Sequence, residues 1–165
     1  MVTLYRIYEM NRIPNARYAE VIGEGLRRLP RGLVARLGHV QFLCGTDPVF
    51  AGLHPYANLT DGRSFKDTAH CAYPYHLLSG DKVTTIVLPV PESPHNVVHE
   101  LGHALHETID FDTHWIKPVT KYAKTNQHEA FAEALVAYTH YGNYDRVDDQ
   151  TVQLFKDLSN TGVLL

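Results

Sequence analysis

The amino-acid sequence predicts an α+β fold, a small twisted sheet with helices, built as one domain over residues 1–165. Segments with strand character and segments with helical spacing share roughly the first half of the chain, whereas the rest holds helical patterns alone. The 165 residues are enough for one domain with a hydrophobic core and too few for two comfortable ones. Hydrophobic residues make up 44% and charged residues 20%, which is ordinary for a globular protein.

The N-terminal half is predicted to alternate strands and helices. Thr3–Tyr8 alternates polar and apolar side chains, which is typical of a strand. Apolar residues then recur at helical spacing over Ala16–Leu29, and Pro30 stops that helix. Leu33–Leu37 should form a short helical turn and His39–Leu43 a strand. Thr46–Gly80 is expected to form loops that hold one further strand at His70–Tyr75.

Asp81–Val90 has the strongest strand character in the chain, because it is β-branched and apolar. Its Pro89 has no N–H to donate, so we expect this strand to lie at a sheet edge or to end there. A helix should begin directly afterwards, with Ser93 as its N-cap and Pro94 at its first position. Its pattern continues to about Ile109.

Two more helices are expected near the C-terminus. Asp110–Ala123 has an irregular pattern, and Asn126 then caps a helix in which Glu129 completes a plausible capping box. That helix should run to Tyr141, and a last helix should span Asp148–Leu158.

Charge and composition give no sign of a nucleic-acid or membrane partner. The net charge is −3 and no basic cluster stands out. The N-terminal residues lack the pattern of a secretory signal, and no apolar run is long enough to span a bilayer. The default expectation is therefore a cytoplasmic protein, with its oligomeric state open. A core of this size needs no disulfide, so Cys44 and Cys71 are expected to be thiols.

The chain contains 11 histidines, and two of them form the motif His-Glu-x-x-His. His99 and His103 are four residues apart, so on a helix they share one face and can bind one Zn²⁺ together. Glu100 projects about 100° round the helix. From there it can serve as general base for a water on the metal. Gly102 is a poor helix former, which indicates that another element packs closely there.

A catalytic zinc ion needs a third protein ligand and an open position. The following helix offers Glu129 and Glu133, which are four residues apart on a half-apolar helix and need a partner when buried. We assign Glu129 as the ligand and Glu133 as the acid that accepts the free N–H of a zinc-bound imidazole. The residues themselves leave the exchange of these two roles open.

Other polar residues near the motif are weaker candidates. Tyr122 precedes the Glu129 helix closely enough to direct its hydroxyl into the cleft and stabilise an oxyanion. His95 and His106 lie on the same helical stripe as the motif, so a second metal is conceivable. The simpler interpretation is favoured, in which His95 is a first-turn surface residue and His106 an imidazolium suited to the end of the helix dipole.

The segment HELGHAL followed by YAKTNQHEAFAEAL resembles the catalytic domain of the anthrax lethal-factor family of gluzincin metallopeptidases. The resemblance is specific from about Val98 to Tyr138. It implies a zincin-like fold with an active-site helix and a second helix that brings the third ligand. Matched residue by residue, it implies the metal ligands His99, His103 and Glu129, the base Glu100, the supporting acid Glu133 and the assisting hydroxyl of Tyr122.

The expected function is that of a zinc-dependent endopeptidase with one zinc ion per chain and a protein or peptide substrate. Glu100 would take the proton of the attacking water and pass it to the leaving amine, while Tyr122 steadies the oxyanion. The strand Thr84–Val90 would offer its edge to an extended substrate. Two alternatives are a compact H-E-x-x-H peptidase that cuts phage or stress repressors, and a non-catalytic zinc-stabilised binding module. The retained Glu100 argues against the second, because a structural site has no use for a base.

Overall fold

The computed structural model describes residues 5–9, 15–45, 70–76, 82–88, 90–91, 93–140 and 146–164. Helices and one small sheet are mixed in it, which agrees with the predicted α+β class. The strands of this part of the chain are β1 (Tyr5–Glu9), β2 (Val40–Cys44), β3 (His70–His76) and β4 (Lys82–Leu88). The α-helices are α1 (Arg17–Arg28), α2 (Arg31–Leu37), α3 (Pro94–His106), α4 (Gln127–Thr139) and α5 (Asp149–Leu164), with a 3₁₀ turn at Tyr122–Lys124 before α4.

The four strands form one sheet in the order β1-β2-β4-β3. The first three are mutually parallel, and β3 runs antiparallel to β4 with a register shift between Ala72 and Tyr75. Strand β4 is therefore interior, so the expectation that Thr84–Val90 offers a free edge is wrong. The other expectation, that the strand ends at Pro89, is confirmed, because β4 ends at Leu88.

The C-terminal limits of three helices differ from the predicted ones, and α4 ends at Thr139 instead of Tyr141. Helix α3 ends at His106 instead of Ile109, because beyond it the backbone N–H groups of Thr108 and Ile109 bond to the carbonyls three residues back and no longer continue the α-helical pattern. Helix α5 continues well past the expected end at residue 158. Its added turn packs on α2, where a β-carbon on Gly32 would lie 1.7 Å from the carbonyl oxygen of Ser159. Within the described part of the chain, no helix has the length and apolar character needed to cross a membrane.

A continuous hydrophobic core joins the sheet to the helices. The largest fully buried side chains include Phe42, Leu101, Phe131 and Phe155, from β2, α3, α4 and α5. Cys44 lies in this core as a thiol, as expected. The side chain at position 71 and residue 142 lie outside the described residues.

Helices α3 and α4 approach each other unusually closely. A β-carbon on Gly102 would lie 2.9 Å from Cα and 3.2 Å from Cβ of Ala132. Gly102 therefore allows the backbone of α4 to pack closely against α3, as the sequence indicated. This approach brings the polar side chains on the facing sides of α3 and α4 within reach of one another.

Candidate metal centre

Helix α3 directs two imidazoles towards α4. His99 and His103 are one turn apart, so their rings lie side by side with centroids 4.8 Å apart and planes at 85°. Their Nε2 atoms are 3.2 Å apart. Both side chains are mostly buried, with 15% and 18% of their surface exposed.

Helix α4 adds the carboxylate of Glu129 to the two imidazoles. Its Oε2 atom lies 3.0 Å from Nε2 of His99 and 3.4 Å from Nε2 of His103. The Asn126 side chain accepts the Glu129 backbone N–H at 3.0 Å, so the predicted N-cap is present. The Glu129 carboxylate does not serve that cap but turns to the histidines. We call His99, His103 and Glu129 the triad.

The triad fits a metal ion by the chemistry of its donor atoms. Nδ1 of His99 is hydrogen-bonded to Glu133, so in the neutral ring its Nε2 carries a lone pair that faces the other two ligand atoms. Oε2 of Glu129 is buried and makes no hydrogen bond of normal geometry. With His99 uncharged, three electron pairs at 3.0–3.4 Å would repel one another, so this arrangement needs positive charge between them, either a proton on His99 or a metal ion. A tetrahedral ion with bonds of about 2.0–2.1 Å separates its ligand atoms by about 3.3 Å.

The charges around His99 also favour a cation. Burial lowers the pKa of His99, but the carboxylates of Glu129, Glu133 and Glu100 outweigh burial and raise it to about 10. For Glu129, burial raises the pKa, yet the contacts with His103 and His99 hold it well below its usual range. The carboxylates therefore attract positive charge to this point, and a divalent ion at the triad would take the place of the proton on His99.

Glu133 lies behind His99 as the sequence predicted, and it has a partner that the sequence did not reveal. Its Oε2 atom accepts the Nδ1–H of His99 at 3.2 Å, and its Oε1 atom accepts the hydroxyl of Thr120 at 3.0 Å. The Thr120 hydroxyl in turn accepts the N–H of Ala123 at 3.0 Å. The hydrogen bonds from His99 and Thr120 outweigh burial and lower the pKa of Glu133, so it stays an anion that fixes the imidazole.

The other two predicted site residues lie beside the triad. Glu100 is 7% exposed on α3, and its charge contributes to the raised pKa of His99. The ring of Tyr122 is 40% exposed, and its centroid lies 6.0 Å from that of His99. The 3₁₀ turn that carries Tyr122 is tied by Ala123 to Thr120, and through it to Glu133.

The two remaining histidines of α3 differ from expectation. His95 is not a plain surface residue, because its Nε2 atom lies 3.1 Å from Nδ1 of His140. His106 is not an imidazolium at the helix end. It is 8% exposed, and burial together with the charges of His128 and His103 lowers its pKa to about 4. No local sequence pattern predicts the contacts of His128 and His140 with α3, because both residues lie far from α3 in the chain and reach it only through the packing of α4.

Comparison with protein-family models and with curated protein sequences finds no match for this chain. The chemistry of this centre is therefore inferred from its residues and their geometry.

Proposed function

We propose that this chain is a zinc-dependent endopeptidase with a zincin-like catalytic domain. The observation that carries the proposal is the convergence of His99, His103 and Glu129 on one point, with Glu100 buried next to His99 on the same helix. The first three supply ligands and the fourth supplies a base. A non-catalytic zinc module would hold its ion with four protein ligands, and among the described residues only three donor atoms converge at this point.

Zinc is the ion we propose for the triad. Two imidazole nitrogens and one carboxylate oxygen are a donor set that zinc takes in catalytic sites, with one position left for water or substrate. When bound, the zinc ion supplies a Lewis acid that lowers the pKa of a coordinated water and polarises a carbonyl group.

The residues of the chain would then divide the proton transfers. Glu100 takes the proton of the attacking water and delivers it to the leaving amine, which is the work of a general base that later acts as a general acid. The Tyr122 hydroxyl donates a hydrogen bond to the oxyanion that forms on the substrate carbonyl. Its exposure beside His99 is consistent with a side chain that meets an incoming substrate.

Glu133 and Thr120 would act only through the ligand that they hold. Glu133 keeps a proton on Nδ1 of His99 and so presents the lone pair of Nε2 to the metal. Thr120 restrains Glu133 and also caps the turn that carries Tyr122. One hydroxyl thereby couples the orientation of a metal ligand to the position of the oxyanion donor.

The substrate we propose is an extended segment of a protein or peptide. Strand β4 is unavailable for it, since β2 and β3 flank it on both sides. Strand β3 has a neighbour on one side only among the described strands, and it contacts α3, the helix of the motif. We therefore propose that main-chain pairing with the substrate takes place at β3. The lethal-factor resemblance supports the same catalytic roles, and a repressor-cleaving peptidase would share them.

Mapping of cleavage sites in a denatured proteome tests this function. The zinc-loaded wild type should produce new peptide termini, and Glu100→Gln should lower the rate by about 10²–10⁴-fold because the amide cannot take the water's proton. Glu107→Gln, an exposed acid on the same stretch of chain, is the matched control and should cleave like wild type. If the wild type and Glu100→Gln produce the same termini at the same rate, the proposed function is wrong.

A further inference from the structure

A further pair of imidazoles meets where α3 ends and α4 begins. Nδ1 of His106 lies 3.1 Å from Nδ1 of His128. This separation nearly equals the 3.2 Å between the Nε2 atoms of His99 and His103 in the triad. We call His106 and His128 the histidine pair, and none of the chemistry proposed above uses it.

The ring of His106 is fixed from two sides. It is 8% exposed and stacks on Phe131 with centroids 4.5 Å apart and planes at 11°. Its Nε2 atom lies 2.8 Å from the hydroxyl oxygen of the buried Thr113. When Nε2–H donates to Thr113, the lone pair is on Nδ1 and is aimed at His128. A histidine that binds a metal ion is held in this way, with its second nitrogen donating to an oxygen of the protein.

The electrostatic surroundings keep that lone pair available. Burial, with the charges of His128 and His103, lowers the pKa of His106 to about 4. At neutral pH the ring is therefore uncharged, and an uncharged imidazole is the form that binds transition metals. The geometry of the pair already stands without this contribution.

The histidine pair opens to solvent. His128 is exposed, and both rings line a cavity of about 500 Å³. The other titratable side chains of its wall are acidic or imidazole: Glu107, Asp110, Asp112 and His114. An ion with its water shell can enter a cavity of this size, and the negative wall attracts a cation.

We propose that His106 and His128 form a second transition-metal site, in which the two Nδ1 atoms bind one Zn²⁺, Ni²⁺ or Cu²⁺ and water completes the coordination. Imidazole suits these three ions. Among the described residues, only the triad brings three donor atoms together, so the histidine pair is the weaker and more exchangeable site. The alternative is a plain hydrogen bond between the two rings, with no affinity for metals.

An ion at this position would join the two helices that carry the triad. His106 is in the last turn of α3 and His128 in the first turn of α4. Because such an ion binds the folded chain and finds no preformed pair in the unfolded one, it stabilises the fold by mass action. The proposal does not depend on peptidase activity, so metal binding and thermal unfolding are sufficient to test it.

The test is a calorimetric titration of nickel chloride into protein that already holds one equivalent of zinc. Wild type should bind one further equivalent without releasing zinc, and its thermal midpoint should rise with nickel. His128→Ala should weaken nickel binding by at least about 10-fold, since the loss of a ligand costs no less than the loss of an outer hydrogen-bond partner, which is worth ~10–100-fold. Because His128 is exposed, its truncation should leave the fold intact, and zinc retention by this variant checks that the triad is intact.

His114→Ala is the matched control, because His114 is an exposed histidine of the same cavity that pairs with Asp112. It should bind nickel like wild type. The proposal is overturned if wild type takes no second equivalent, if nickel enters only by displacing zinc, or if His128→Ala binds nickel as tightly as wild type does. Equal loss in His128→Ala and His114→Ala would also overturn it, because the acidic wall alone would then explain the binding.

Discussion

The triad and the histidine pair lie at two successive levels, or layers, of the contact between α3 and α4. Each layer brings two imidazole nitrogens to almost the same distance. The distance between the two nitrogens is 3.2 Å in the triad and 3.1 Å in the histidine pair. Yet the pKa of His99 is raised to about 10, whereas that of His106 is lowered to about 4. Burial lowers the pKa of both histidines. At His99 neighbouring carboxylates raise the pKa by more than burial lowers it, whereas at His106 no carboxylate offsets burial. The comparison teaches that two adjacent histidines do not define a tight metal centre, and that the acids facing them decide its strength.

The direction of α4 explains why the two layers differ. Successive histidines along α3 contact successively earlier residues of α4, so the two helices are antiparallel. The contacts are His99 with Glu133, His103 with Glu129, and His106 with His128. Each histidine of α3 therefore receives its partner from a fixed position on an antiparallel helix. Exchanging or removing one partner tests one layer at a time.

Removal of the two acids of the triad layer should give the largest effects. Glu129→Ala deletes a ligand and should weaken zinc by more than about 100-fold, whereas Glu133→Ala deletes an orienting hydrogen bond and should weaken it by about 10–100-fold. Competition with a chromogenic chelator would measure both affinities. A larger loss in Glu133→Ala than in Glu129→Ala would mean that the two roles are exchanged and that Tyr122 is not placed to assist.

The close helix approach that creates both layers should be sensitive to a single methyl group. Gly102→Ala places a β-carbon 2.9 Å from Cα of Ala132, and we expect it to lower the free energy of unfolding by about 1–3 kcal/mol. Gly23→Ala is the matched control on α1, where the new carbon meets only the flexible Arg27 side chain at 3.3 Å. It should gain up to about 1 kcal/mol from helix propensity. Urea unfolding with zinc present would measure both, and a gain in both variants would contradict the close approach.

Thr120 should have a smaller effect, because it acts on the triad layer through Glu133. Thr120→Val removes the hydroxyl that holds Glu133, so zinc affinity should fall by about 2- to 10-fold, the usual worth of one hydrogen bond. Thr120→Ser keeps the hydroxyl and should restore most of the affinity. If valine and serine give the same zinc affinity, Thr120 does not position Glu133.

The last expected effect is a pH dependence of stability that comes from the histidine pair. The pKa of His106 is about 4 in the folded chain and 6.5 for an unperturbed histidine. Above pH 6.5 the ring is neutral in both the folded and the unfolded chain, and its contribution to the free energy of unfolding is fully present. This contribution is lost as the pH falls from 6.5 towards 4, because the unfolded chain then binds the proton more readily than the folded one. Wild type should lose more stability over that window than His106→Phe, which keeps the stack on Phe131 and cannot titrate. Urea unfolding at fixed zinc from pH 7 to pH 4 would measure it, and equal losses would contradict the assignment.

The sequence predicted the site best where the relevant pattern is local. His99, Glu100 and His103 are fixed by their spacing on one helix, and the Asn126 cap sets where the Glu129 helix begins. These features need only helix geometry and a terminus, so the chain carries them without knowledge of the fold.

Features that depend on distant segments could not be predicted in this way. Strand β4 is interior only because β3, from a stretch rich in loop-forming residues, pairs with its second edge. Thr120 faces Glu133 because the 3₁₀ turn that follows it packs on α4, and His128 faces His106 because α3 and α4 pack antiparallel at Gly102. The sequence contains these residues but not the register that joins them.

Metal content after exhaustive dialysis tests most directly the central claim that the triad, and not the histidine pair, is the tight zinc centre. Wild type and His128→Ala should each retain about one zinc ion per chain, because the triad keeps its three ligands. His103→Ala should retain none, since two ligands do not hold the ion against dialysis. Full zinc retention in His103→Ala, or zinc loss in His128→Ala alone, would contradict the account.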